Sequence, residues 1–233
     1  MKSERIPVRS FSADNGFIGK MQKLVREEVL PYQYNILNDA IPGIEKSHAI
    51  ENIRLAAEKL RGKDVKPDEF YGMVFQDSDV AKWIEAAAYA LAAGEDPELE
   101  KAVDETIQLY GASQHEDGYV DSYFTVKCPD KMWTNICDAH ELYCAGHMME
   151  AAVAYYEVTG KRELLDIMSK SADCIYEQFM KKNTRAYPGH PEVELALMRL
   201  WRATGNEKYK ELAKHFVDVR GQAPNYFVEE KKN

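Results

Sequence analysis

Two cysteines and two histidines within one stretch of the chain are spaced as metal ligands could be. Cys137, His140, Cys144 and His147 stand at positions i, i+3, i+7 and i+10. At about 100° per residue these positions share one narrow face of a helix, and zinc prefers cysteine and histidine ligands. A helix rises about 1.5 Å per residue, however, so the four span about 15 Å and at most two can share one ion. We therefore favour structural or substrate-facing roles over a metal site.

Of the two histidines in this stretch, His140 is the better candidate for a ligand contact and His147 the weaker one. His140 follows a long connection by only a few residues, whereas His147 lies two turns deeper in the predicted helix. A single histidine on an apolar helix is ordinarily a core residue. A further imidazole, His190, precedes Pro191, and proline suits the first turn of a helix because its missing N–H has no partner to lose there. We therefore expect His190 at a helix N-cap.

Carboxylates offer a second chemistry, because glycosidases commonly use two acids that flank the scissile bond. The candidate pairs are Asp77/Asp79, Asp117/Asp121 and Glu192/Glu194. Helix caps account for Asp77 and Asp79, a turn accounts for Asp117 before a glycine, and a favourable first-turn charge accounts for Glu192. We favour these structural roles for all three pairs.

The elements that must position these residues follow a pattern that occurs three times. Each copy has an apolar helix that ends at a glycine, a short charged turn and a second helix, and the glycines are Gly94, Gly160 and Gly205. Such a glycine is typical of a helix C-cap in the left-handed conformation. The sequence therefore predicts three antiparallel helical hairpins in an all-α protein. The glycine turns must lie at one end of the array and the connections between hairpins at the other.

The connections gather the candidate residues at one end of the array, which we call the mouth. Residues 77–79 begin one predicted helix, the 113–136 connection precedes the next, and His190 precedes the third. The long connection is rich in Gly, Asp, Tyr and Phe, and we expect a short extended segment or hairpin within it. Gly146 within its helix indicates close packing or access to a cavity. Acids, aromatic rings and imidazoles together suit a polyhydroxylated ligand.

Two helical segments precede the hairpins. Residues 14–38 show helical spacing that Pro31 should interrupt, and residues 48–60 are amphipathic, so we expect these two segments to form a fourth pair. On residue type alone Trp83 is more typical of a core than of a sugar platform.

Composition restricts the class of protein. The 233 residues are 45% hydrophobic, which suits one domain over 1–233. The formal charge of −9 disfavours a nucleic-acid partner. No apolar stretch approaches the ~18 residues of a membrane span and no signal peptide is visible, so we expect a cytoplasmic protein. Four cysteines in a chain of this size favour reduced thiols over a disulfide scaffold.

Four long segments carry a resemblance to a known family. They are FQDSDVAKWIEAAAYAL, QHEDGYVDSYF, HELYCAGHMMEAAVAYYEVTGKRELLDI and YPGHPEVELALMRLWRATGNEKYKELAKHFVDVRG. They resemble glycoside hydrolase family 127, the β-L-arabinofuranosidases. The resemblance implies an (α/α)6 barrel that cleaves terminal β-L-arabinofuranose from plant-type glycans with retention. It also implies a zinc-bound cysteine nucleophile, with further cysteine ligands and a glutamate, and another glutamate as acid/base.

The resemblance also implies which residues of this chain meet the sugar. His140 in HELYCAGH and His190 in YPGHPE match the family's substrate-contacting histidines, in agreement with the mouth argument. Asp79, Trp83 and Tyr119 fall in matching motifs and are further substrate-binding candidates. The family's catalytic and zinc-binding residues belong to a later part of its barrel, and none of the four cysteines here matches them. The resemblance therefore assigns no catalytic residue and no metal ligand to this chain.

The predicted fold is accordingly an incomplete (α/α)6 barrel, the N-terminal part of the family's catalytic domain. Every ~100 Å² of apolar surface left open costs about 2.5 kcal/mol of lost burial, so we expect self-association or a missing C-terminal half that covers it. The predicted function is the N-terminal portion of a β-L-arabinofuranosidase-like hydrolase without catalytic residues of its own. The alternatives are a non-catalytic carbohydrate-binding or scaffold module, and an (α/α)-barrel epimerase or unsaturated-uronide hydrolase.

Overall fold

The computed structural model describes residues 6–10, 13, 16–182 and 184–232. Residues 14 and 15, where the first predicted helix begins, lie outside the described residues. The described part of the chain is helical and contains no strand. Its α-helices are α1 (Gly16–Leu24), α2 (Leu30–Leu37), α3 (Ala49–Leu60), α4 (Asp77–Ala93), α5 (Pro97–Ala112), α6 (Ser122–Lys127), α7 (Glu141–Thr159), α8 (Glu163–Tyr176), α9 (Val193–Thr204), α10 (Glu207–Val219) and α11 (Tyr226–Glu230).

The three predicted hairpins are confirmed as α4–α5, α7–α8 and α9–α10. Helices α4, α7 and α9 pack side by side as an inner layer, while α5, α8 and α10 form an outer layer. Because α7 contacts α4 on one side, α9 on the other and α8 behind, it is buried around most of its circumference. This layering is a sector of an (α/α) barrel, in agreement with the incomplete (α/α)6 barrel that the resemblance implies.

The glycine turns differ in conformation. Gly160 (φ 77°) and Gly205 (φ 74°) end α7 and α9 in the left-handed region, as predicted. The same prediction for Gly94 is wrong, since its φ of 171° is extended backbone. Arg26 packs against this position: its Nη1 would lie 2.6 Å from a Cβ at Gly94, and its Nη2 donates to the Glu95 carbonyl. Gly94 therefore provides space for a guanidinium group.

The segment before the hairpins is one helical run rather than an interrupted one. A π-helical turn over Val25–Val29 joins α1 to α2, and Leu30 N–H bonds to the Val25 carbonyl. Because this turn changes the bonding pattern just ahead of Pro31, the proline fits at the start of α2 without breaking the helix. The predicted fourth pair is also wrong, because α2 packs chiefly on α4 and α3 packs on α6 and α5.

The mouth end of α4 departs from its predicted caps. The N-cap position belongs to Gln76, which makes no side-chain cap bond. Asp77 is buried, and its carboxylate accepts the Ser122 backbone N–H at 2.8 Å and the Ser122 hydroxyl. A buried carboxylate needs such donors, so Asp77 connects α4 to α6 instead of capping α4. Asp79 lies in the first helical turn and is likewise no cap.

The long connection contains a helix where an extended segment was predicted. The Asp121 carboxylate accepts the Phe124 N–H at 3.0 Å and so caps α6. A 3₁₀ turn over Pro129–Lys131 follows. The Asp121 cap therefore favours a helix in this connection, which composition alone did not predict.

The third connection carries His190 ahead of its helix rather than at the cap. Helix α9 begins at Val193 and its N-cap residue is Glu192, whose N–H bonds to the His190 carbonyl at 2.9 Å. This local turn, which includes Pro191, delays the start of the helix by two residues relative to the prediction.

Gly146 shows the close packing that was predicted. A Cβ at this position would lie 3.0 Å from the backbone N and Cα of Val193. The absence of a side chain thus lets α7 contact the first residue of α9 directly, just after the turn that holds His190.

Within the described part of the chain, none of the helices combines the length and the apolar character that a bilayer crossing requires.

Candidate functional site

His140 and His190 meet at the mouth. Their Nε2 atoms are 3.0 Å apart and their ring centroids 4.8 Å apart, although the residues are 50 positions apart in sequence. His140 is the N-cap residue of α7 and has a left-handed backbone, with φ 64°. His190 is exposed in the turn before α9. The predicted convergence of the two imidazoles is therefore confirmed.

A close backbone contact brings the two histidine-bearing turns together. The Gly189 N–H lies 3.3 Å from the Ile136 carbonyl, and a Cβ at Gly189 would lie only 1.9 Å from the Cys137 carbonyl oxygen. No other residue could occupy position 189 without moving the backbone. The contact of Gly189, which stands next to His190, with Ile136 and Cys137 thus holds the two turns together.

The hydrogen bonds assign the tautomers of the pair. His140 Nδ1 lies 2.5 Å from the Asp138 carbonyl oxygen, which can only accept, so this nitrogen carries the proton. In the tautomer with the proton on Nδ1, the Nε2 of His140 is an acceptor, and the facing Nε2 of His190 is then the donor. The pair therefore offers one donor and one acceptor side by side at the protein surface.

Aromatic rings and a lysine surround the pair. Tyr143 has its ring centroid 5.2 Å from that of His190 and 5.6 Å from that of His140, and Phe75 lies 5.3 Å from His140. Lys82 Nζ is 3.0 Å from the Tyr143 hydroxyl oxygen. Sequence reasoning did not single out Tyr143, although it stands three residues after His140 and so shares its side of α7.

The cluster continues inward to His147 and Glu192. His147 Nδ1 lies 3.4 Å from Glu192 Oε1. Burial, aided by the charge of Lys82, lowers the pKa of His147 to about 4. Burial raises the pKa of Glu192. His147 is accordingly a neutral imidazole at pH 7, and it forms the inner wall of the site with this glutamate.

Asp79 borders the site from α4. It is half-buried, and Gln76 Nε2 lies 3.4 Å from its Oδ2. Burial raises the pKa of Asp79, and the positive charge of Lys82 opposes this shift. Because Lys82 also contacts Tyr143, Asp79 is electrostatically connected to the cluster around the histidines.

Trp83 and Tyr119 lie in the packed interior. Trp83 is 3% exposed, donates its indole N–H to the Leu30 carbonyl at 3.1 Å and stacks on Tyr34. Tyr119 is also 3% exposed and donates its hydroxyl to Glu141 Oε1 at 2.7 Å. The structure thus brings neither residue to the histidine pair, and their substrate contact stays a prediction.

Three buried acids lie behind the mouth. Burial raises the pKa of Asp77, of Asp121 and of Glu141, the last to about 7.

Two other candidate carboxylates have structural partners. Asp117 accepts the Tyr119 N–H at 3.0 Å, which confirms its predicted turn role. Glu194 is buried and contacts Arg220. The structural roles of these carboxylates are hydrogen bonds to backbone and side chains of the fold.

The four-residue metal stripe is not formed. Helix α7 begins at Glu141, so Cys137 lies outside it, and Cys144 is buried. Among the described residues, no three Cys, His, Asp or Glu side chains stand close enough together to hold a metal ion. The zinc that the resemblance implies therefore does not fit the residues described here.

Comparisons with known proteins identify the family of this chain. The family model for the β-L-arabinofuranosidase GH127 catalytic domain matches residues 12–233. The non-reducing end β-L-arabinofuranosidase of Bifidobacterium longum subsp. longum is 41% identical over 88% of this chain and 33% of its own length.

Solved structures give the same result. A GH127 β-L-arabinofuranosidase from Geobacillus stearothermophilus T6 superposes with a TM-score of 0.88 and 53% identity, over 94% of this chain and 34% of that one. A second GH127 β-arabinofuranosidase has a TM-score of 0.83 and 31% identity over the same shares. The chain thus spans about a third of the length of the relatives it matches.

Proposed function

The chain belongs to the GH127 β-L-arabinofuranosidase family, and on that premise we propose that its mouth binds an L-arabinofuranose unit of a glycan. His140 and His190 are the proposed contacts, with Tyr143 and Phe75 as the adjoining aromatic wall. The observation that carries this proposal is the facing pair of Nε2 atoms at 3.0 Å on an open surface.

The chemistry of the pair suits a sugar hydroxyl. A hydroxyl group is at once a donor and an acceptor. It can accept from the Nε2–H of His190 and donate to the free Nε2 of His140, replacing the bond that the two rings make with each other. The carbonyl of Asp138 keeps the His140 ring in the acceptor tautomer during this exchange. The pair therefore binds and orients a hydroxyl without a change of net charge.

The proposed share of this chain in the family's reaction is substrate binding and orientation. Zinc, when bound in the resembled family, supplies an activated cysteine nucleophile. Because the described residues bring no three zinc ligands together, we assign no bond-breaking step to this chain. The proposal for the whole reaction is retaining cleavage of terminal β-L-arabinofuranose by a protein that contains this part of the barrel.

Calorimetric titration with methyl β-L-arabinofuranoside tests the binding proposal, with methyl α-D-glucopyranoside as the control sugar. We expect selective binding of the arabinofuranoside. Equal or no binding of both sugars by the folded chain would contradict the proposal.

A carbohydrate-binding or scaffold module is the second candidate, favoured by the binding pair that stands without nearby zinc ligands. Release of p-nitrophenol from its β-L-arabinofuranoside separates the two candidates. The assay needs added zinc and a thiol reductant, and it is repeated after chelation. Turnover that chelation abolishes would establish hydrolysis by this chain, while binding without turnover would favour the module. A cytoplasmic location stays a prediction from the sequence.

A further inference from the structure

We propose that the segment after α10 acts as a clasp that positions His140 and His190, with Glu230 and Arg220 as its positioning residues. Its effect on sugar binding rests on the proposed function, whereas its effect on the two imidazole rings does not. The clasp, defined as residues 220–230, contains α11 and contacts both histidine-bearing turns.

Glu230 holds the turn that precedes His140. Its Oε1 accepts the backbone N–H of Ile136 at 2.8 Å, and its Oε2 accepts that of Cys137 at 3.0 Å. The Tyr226 hydroxyl donates to the same Oε1 at 2.7 Å. Hydrogen bonds to a charged carboxylate are stronger than neutral ones. One side chain thus fixes two consecutive peptide units across more than ninety residues of sequence.

The turn that Glu230 holds sets the geometry of His140 directly. The carbonyl of Asp138, the residue after Cys137, accepts from His140 Nδ1. The Cys137 carbonyl is the atom against which Gly189 packs. A displacement of this turn would therefore disturb the tautomer of His140 and its distance from His190 at the same time.

Arg220 holds the other turn. Its Nη2 donates to the Pro188 carbonyl at 2.8 Å and lies 3.0 Å from Glu194 Oε1, while the guanidinium lies 4.9 Å from the centre of the Tyr187 ring. The Phe227 ring packs on the same tyrosine, with centroids 4.4 Å apart. The clasp thus contacts the His190 turn at Tyr187 and Pro188, which stand three and two residues before the histidine.

The contacts of Glu230 and of Arg220 both bear on the distance between the two imidazole rings. The Nε2 atoms must stay near 3.0 Å for the donor and acceptor to act on one hydroxyl. Each histidine lies on a connection rather than within a helix, so the hairpins alone do not fix that distance. The clasp contacts both connections, in addition to the direct contact of Gly189 with the Cys137 carbonyl.

The decisive variant is Glu230→Gln, because a glutamine cannot accept two N–H groups on opposite ends of its amide. Glu229→Gln is the matched control, since Glu229 is exposed on the same short helix. The readout is the long-range ¹H–¹⁵N spectrum of ¹⁵N-histidine-labelled protein, which reports the tautomer of each ring. Its six histidines are assigned by single His→Gln variants.

We expect Glu230→Gln to move His140 from its Nδ1–H form to a tautomer mixture and to weaken arabinofuranoside binding roughly three- to tenfold. Glu229→Gln should change neither. Tyr226→Phe, which keeps the ring packing, should produce a smaller change in the same direction and serves if Glu230→Gln does not fold. Unchanged His140 signals in Tyr226→Phe and in any folded Glu230→Gln protein would overturn the clasp. A tautomer shift in a chain that binds no sugar would support the clasp and refute the proposed function.

Discussion

At the residue scale, the site depends on two imidazoles whose surroundings dictate which nitrogen carries a proton. The sequence predicted that His140 and His190 would meet, because the antiparallel order of the hairpins places both at the mouth. It could not predict the tautomers, which depend on the Asp138 carbonyl at 2.5 Å from His140 Nδ1. His140 makes that contact with a left-handed backbone (φ 64°), which is uncommon for a residue other than glycine.

The buried carboxyl of Glu141, next to His140 in sequence, makes stability depend on pH. Burial raises its pKa from 4.5 to about 7. The folded state therefore binds the proton more tightly than the unfolded state. The stabilisation is complete below about pH 4.5 and is lost as the pH rises through about 7, with a total of about 3 kcal/mol.

Glu141→Gln replaces the titrating carboxyl by a neutral amide. The amide oxygen can still accept from Tyr119 and Trp133. Urea unfolding of both proteins at pH 5 and pH 8 measures the effect. We expect the variant to gain stability relative to the wild type by up to about 3 kcal/mol over that interval. Parallel pH profiles of the two proteins would contradict the assignment.

At the element scale, periodicity predicted the hairpin helices well and their ends less well. Helices α4, α7 and α9 follow the apolar spacing, and Gly160 and Gly205 end two of them as predicted. The predicted cap residues were wrong where a tertiary partner competes. Asp77 bonds to Ser122 on another helix, and Gly94 faces Arg26 from a distant turn. Such partners have no signal in the local sequence.

Gly146→Ala tests the contact between α7 and α9. Its Cβ would lie 3.0 Å from the Val193 backbone, whereas a Cβ at Gly111 would meet only the flexible end of Ile167 at 2.8 Å. Both substitutions gain up to about 1 kcal/mol of helix propensity. We expect Gly146→Ala to lose about 1–2 kcal/mol net and Gly111→Ala to be neutral or stabilising. Thermal and urea unfolding provide the comparison, and equal effects would refute the close packing as a constraint.

At the scale of the whole molecule, the inner layer of α4, α7 and α9 explains why the site lies at one end. Along one edge of this layer α2 packs on α4, and α1, which precedes it, leaves apolar side chains exposed. Phe17 is 75% exposed and Ile18 59% exposed. A groove of about 870 Å³ lies between this segment and α4. Hairpin order predicts which helices are neighbours. It does not predict which of their surfaces are exposed in the described part of the chain.

This open apolar surface predicts self-association of the chain. Sedimentation velocity over a range of concentrations should show mass increasing with concentration. Replacing Phe17 and Ile18 together by serine should suppress it, because association would remove their exposed apolar surface from water. Leu195→Ser, at an exposed leucine on α9 outside this surface, is the control and should leave association unchanged. A monomer at every concentration would contradict this prediction.

In the proposed function, His140 and His190 act on one sugar hydroxyl as a unit. Calorimetric titration of methyl β-L-arabinofuranoside into the wild type, His140→Ala, His190→Ala and the double variant tests it most directly, with circular dichroism to verify the helix content. We predict that each single variant binds about three- to tenfold more weakly, and that the double variant is little worse than either one, because the pair functions jointly. Wild-type affinity in the His190→Ala protein would contradict the account.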